Sequence, residues 1–171
     1  MNSNFLINIF RFILLVAIQV LVFNNIKLFG YLDPFPYVLF IILYPVNSNK
    51  YMLLISSFLL GLTLDMFGDT GGIHATACLI LAAIRPSIFK FSFGLSYEYQ
   101  TIKISEKVSS ERITFIVLAV FIHHFIIYSL ELLRFGLILD VFLRTLFNTI
   151  FTSIICILTI YLIKPNKRWE N

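Results

Sequence analysis

Five stretches of this sequence, Phe5–Phe23, Tyr51–Phe67, Ile73–Phe91, Ile113–Phe135 and Leu137–Ile163, are apolar over close to the ~20 residues a helix needs to cross a hydrocarbon core. Inside a bilayer the backbone must satisfy its own hydrogen bonds, which a helix does within each segment. A chain with 59% hydrophobic and 13% charged residues is far more apolar than a soluble domain with a polar surface needs to be. The expected fold class is therefore all-α, a polytopic membrane helix bundle. Only the stretch 92–112 is a sizeable connection, so residues 1–171 are expected to form a single integral membrane domain with no room for a soluble catalytic domain.

The sixth crossing is harder to find. Between Pro34 and Asn47 lie only about a dozen apolar residues, shorter than a perpendicular helix requires. Charge decides the parity. With six spans and the N-terminus inside, Lys50, Lys90, Lys103, Lys107, Arg112, Lys164, Lys167 and Arg168 are all cytoplasmic, and Lys27 is outside. If Pro34–Val46 only re-entered, the basic loop from Lys90 to Arg112 would move outside. Pro34–Val46 is therefore expected to be a short transmembrane helix, extended into Gly30–Asp33 and stiffened by Pro34 and Pro36, giving six transmembrane helices with both termini cytoplasmic. The first helix, with Arg11 near enough to its start to snorkel, is expected to be retained, since no small-residue cleavage pattern follows it. The formal charge of +4 then reports orientation, and nothing suggests a nucleic-acid partner.

Polar residues inside the apolar runs are the candidates for function, because such groups are costly in lipid. The stretch Gly61–Ala77, GLTLDMFGDTGGIHATA, reads as a helix end, a tight turn and a helix restart, with Asp65 and His74 at similar depth in one leaflet. The structural alternative is that Asp65 and Asp69 cap the second helix while Gly71 and Gly72 make the turn. Arg85 lies about a turn from Lys90 and is expected to snorkel, with Pro86 kinking that helix unless Arg85 marks the start of its exit. Cys78 and Cys156 read as packed thiols. Phe91, Phe93, Leu95, Tyr97 and Tyr99 alternate with small or polar residues, so a short hairpin or a solvated loop is expected there.

In the fifth run, His124, Tyr128 and Glu131 share one face and His123 and Arg134 the neighbouring stripe; in the sixth, Asp140, Arg144 and Asn148 stand at i, i+4, i+8. The topology brings Asp65, Asp69, His74, Glu131, Arg134, Asp140 and Arg144 to the outer leaflet. They form either an internal ion-pair network or an outward-open cleft for a ligand or a partner segment, and both can hold at once. Adjacent His123 and His124 lack the i, i+4 spacing with which a helix chelates a metal, and no HExxH, GxSxG or GxGD pattern is present. No metal, no cofactor and no enzymatic activity are expected.

Gly61, Leu64, Asp65, Gly72, His74 and Ala75, together with Leu62, fall in order on a Gly-Leu-hydrophobic-Leu-Asp, glycine loop, Gly-hydrophobic-His-Ala pattern. In this, and in its length, its near absence of soluble loops and its basic tail, the chain resembles the MreD family of bacterial rod shape-determining membrane proteins. The Phe-Gly-Asp-Thr-Gly chemistry of the turn and the aromatic 92–112 stretch depart from the family. The resemblance implies a non-enzymatic scaffold in the cytoplasmic (inner) membrane, among membrane lipids. Its partners would be an MreC-like shape protein and, directly or through it, the cell-wall synthase and the actin-like MreB filament of the elongation machinery. The family is similar in architecture to the six-helix substrate-binding subunits of energy-coupling-factor transporters. An outward-facing vitamin-binding subunit is therefore the alternative.

Overall fold

A computed structural model of the chain describes residues 3–26, 33–46, 48–94, 109–132 and 137–163. All regular structure among the described residues is helical: α1 (Ser3–Leu21), α2 (Leu39–Ile42), α3 (Lys50–Gly68), α4 (Ile73–Phe93), α5 (Ser110–Glu131) and α6 (Ile138–Ile163), with 3-10 turns at Phe23–Asn25 and Pro36–Val38. Five of these helices are long and apolar enough to cross a membrane, and α2 is not. From α3 to α6 each helix packs against the next, as the short connections dictate for α3–α4 and α5–α6, and α5 packs on α4 across the longer one between them. Residues 95–108, with most of the aromatic stretch, lie outside the described residues. Phe91 and Phe93, counted as the start of a strand-like alternation, belong to the last turns of α4, where the Phe89 ring packs on Phe93 (5.3 Å) and Phe115 (4.1 Å) and the helix runs to Phe93.

The segment between α1 and α3 differs most from the expected regular helix. Phe12 packs on Phe40, and Asn8, Ile9 and Phe12 share a groove with Met52, Ser56 and Leu59, whereas Val20 and Phe23 lie with Phe67 and Gly68 at the opposite end. Helices α1 and α3 thus run parallel, and the chain must return between them. It does so through the centre of the bundle: Tyr37, Val38, Ile41 and Ile42 are 0% exposed, and the return is only partly helical.

A buried irregular backbone is tolerated only when its polar groups find partners. Here side chains of three surrounding helices supply them. The amide of Asp33 donates to Asn148 Oδ1 (2.7 Å) and that of Phe35 to Thr152 Oγ1 (3.3 Å). Gln19 Nε2 donates to the Pro34 carbonyl (3.3 Å). At the other end Arg11 Nη1 donates to Leu43 O (3.3 Å), and Arg85 Nη2 donates to Ile42 O (3.3 Å) and to Tyr44 O. Arg85 is 5% exposed with its guanidinium 4.9 Å above the Phe89 ring, so it does not snorkel. The carbonyls that α2 leaves unpaired at its C-terminus carry negative partial charge within reach; they hold Arg85 inside and anchor half-buried Arg11. Arg85 does not mark the start of an exit: α4 continues through Pro86 to Phe93.

Candidate functional site

The turn between α3 and α4 is built around one carboxylate. Gly72 begins α4 at φ 97° and has no side chain to satisfy the helix's first amides. Asp65, two turns back along the chain and 6% exposed, satisfies them from the neighbouring helix: Oδ1 accepts from the His74 amide (2.9 Å) and the Thr70 hydroxyl, and Oδ2 from the Ala75 amide (2.8 Å). Of the two aspartates that the sequence offered as caps, Asp65 serves α4. Exposed Asp69 ends α3 in the left-handed region at φ 51°. Gly61 makes this approach possible, since a Cβ there would fall 2.6 Å from the Ala75 nitrogen and closer still to the His74 carbonyl. Leu64 and Ala75, each 3% exposed, pack between the two helices.

His74 leads from this turn into the core. Its Nδ1 lies 2.6 Å from the Tyr37 hydroxyl, which is also 3.0 Å from Nε2 of His123. A phenol has one proton to donate, so one ring accepts it and the other presents an N–H to the same oxygen. His123 Nε2 is also 4.0 Å from Cys78 Sγ, while its Nδ1 has no partner among the described residues. His124 turns away, with Nδ1 2.9 Å from Val120 O and Nε2 3.2 Å from Thr152 Oγ1. The Phe35 ring packs 5.2 Å from both His74 and His124. All three histidines of the chain thus surround the short central segment. Among the described residues no group of three His, Cys, Asp or Glu is arranged to hold a metal ion.

Beside this network a cleft of about 490 Å³ lies at the Asp65 end of the bundle. Its walls come from the end of α1 (Phe23, Asn24, Asn25), the central segment (Asp33, Phe35), the α3–α4 turn (Phe67, Thr70, His74) and α5 (Tyr128, Glu131). Of the expected polar cluster, it unites His74 and Glu131, with Asp65 just behind Thr70. Asp140 is exposed and Arg144 half-buried on α6, neither lines the cleft, and Glu131, Asp140 and Arg144 form no ion pair with one another. Arg134 lies outside the described residues.

The residues missed from sequence are Asn24, Asp33, Phe35 and Tyr37. A signal for them existed in Asn148 and Thr152, which continue the Asp140–Arg144 stripe at the same four-residue step and bind the backbone of Asp33 and Phe35. Comparison of the chain with protein-family models, with curated proteins and with solved structures finds no match.

Proposed function

We propose that the chain is a non-enzymatic membrane scaffold of the MreD type, crossing a bacterial cytoplasmic membrane six times with both termini inside. In this reading the cleft at the Asp65 end faces outward and receives the membrane-proximal segment of an MreC-like partner. The partner in turn links the scaffold to the cell-wall synthase and the MreB filament. The central return through 33–46 serves as the second, short crossing.

The observation that carries the proposal is the α3–α4 turn. Gly61, Asp65, Gly72, His74 and Ala75, the residues on which the family resemblance rests, form one tightly bonded unit and stand against a polar cleft. A motif devoted to holding two helices and one cleft wall suits a part that positions another protein.

A cleft of about 490 Å³ is also within the range of small-molecule sites, which keeps the vitamin-binding alternative as a second reading. One experiment separates the two. Exposed Gly68 lines the cleft and a Cβ there meets the Thr70 side chain at 3.4 Å, so Gly68→Trp is expected to fill the cleft, with unchanged hydrogen exchange at the His74 and Ala75 amides as the check that the Asp65 bonds persist. Purification from the membrane should recover an MreC-like protein with the unaltered chain and much less with Gly68→Trp, accompanied by loss of rod shape. Recovery of a stoichiometric small molecule, lost in the same variant while cell shape persists, would establish the transporter reading instead.

A further inference from the structure

The chemistry of the cleft walls narrows what can occupy it. Asp33 and Glu131 bring two carboxylates to one opening, Phe35, Phe67 and Tyr128 bring aromatic surface, and no Lys or Arg lines it among the described residues. Arg144 on α6 is half-buried and does not line the cleft; its charge acts on Tyr128 against those of Asp33 and Glu131, so two acids face one base there. Carboxylates beside aromatic rings are the surroundings a cationic nitrogen prefers, since the acids accept charge-assisted hydrogen bonds and the rings attract the charge by their π faces.

An independent observation concerns Tyr128. It lines the cleft and is 2% exposed, and its hydroxyl has no partner among the described residues. Leaving a buried hydroxyl unpaired is costly, and an N–H of a bound group would satisfy its oxygen. His74 also lines the cleft, and either tautomer of its ring keeps the Nδ1 bond to Tyr37, since the phenol can donate or accept there.

We propose that the cleft binds a cationic nitrogen group, an alkylammonium or a guanidinium, between Asp33 and Glu131, with the Tyr128 hydroxyl accepting one of its hydrogens. The group comes either from a Lys or Arg side chain of a docked protein segment or from a free small amine. The proposal deepens the docking role given to the cleft above and rests on it for its biological meaning.

The test titrates the purified full-length chain in detergent with argininamide, with butylammonium and with N-acetylglycinate as an anionic control, read by calorimetry and by the shift in unfolding temperature. Saturable binding of the two cations and none of the anion is expected. Asp33→Asn combined with Glu131→Gln should weaken it at least about tenfold, and Tyr128→Phe about tenfold. Because Glu131 is exposed and Asp33 half-buried, the acid variant is expected to fold even if Tyr128→Phe does not. Absence of cation binding, equal affinity in the acid variant, or anion binding of the same strength overturns the proposal.

An apolar peptide with one central Lys that binds more tightly than butylammonium identifies a protein segment as the source, and one that binds more weakly identifies a free amine. Both results uphold the cation site. The two levels also fail separately. Cation binding with partner recovery unaffected by Gly68→Trp refutes the docking role and leaves the site standing. Partner loss in Gly68→Trp without cation binding refutes the site and leaves the docking role standing.

Discussion

Asp65 illustrates how much one side chain decides in a bilayer. Its two oxygens accept three hydrogen bonds from the far side of a tight turn. Replacement by Asn keeps the shape but turns one acceptor into a donor, which meets an N–H that can no longer be satisfied. Asp65→Asn should cost about 1–3 kcal/mol in reversible unfolding and should raise hydrogen exchange at the His74 and Ala75 amides ahead of the rest of α4. Unchanged exchange there would show that the carboxylate does not hold the helix start. Gly61→Ala is expected to be at least as damaging, by about 1–3 kcal/mol, because a methyl group has no space against the backbone of α4. Glu131 and Arg144 pose the opposite case. They are not paired in the structure, so reversing both, Glu131→Arg with Arg144→Glu, should recover no more partner binding than Glu131→Arg alone. A clear recovery by the double variant would reinstate the ion pair that the helical spacing suggests.

Among the elements, the short central segment depends most on its neighbours. Helix α2 is a single turn, too short to be stable alone, and its dihedrals are held by burial and by side chains reaching in from α1, α4 and α6. Arg85→Met preserves much of the side-chain volume while leaving the Ile42 and Tyr44 carbonyls without their donor. We expect it to cost about 1–3 kcal/mol, and to expose a cysteine placed at Val46 to labelling by a thiol reagent while one placed at Ile122 on α5 stays unchanged. Equal labelling with and without the substitution would mean that Arg11 and packing suffice. Since Cys78 and Cys156 are both fully buried, the native thiols should contribute little background.

At the level of the whole molecule, parallel α1 and α3 with a return between them set the parity of every later helix. Cysteines introduced at Lys103 and Lys167 should be shielded from a membrane-impermeant reagent in intact cells and react after permeabilisation, whereas one at Asn25 should react from outside. External labelling at Lys103 or Lys167 would contradict the proposed orientation. The five long helices were legible in the residues alone, within a few positions at each end, because length and apolarity settle what a bilayer accepts regardless of what lies alongside. The α3–α4 turn was legible too, since glycines, an aspartate and a restart of apolar residues are local signals. The burial of Arg85, the hydrogen bond of Arg11 to Leu43, the irregular path of 33–46 and the gathering of three histidines around Phe35 and Tyr37 were not. Each depends on a hydrogen bond or ring contact between residues far apart in the chain, and a pattern of spacing within one helix carries no information about which carbonyl or ring a neighbouring helix brings within reach.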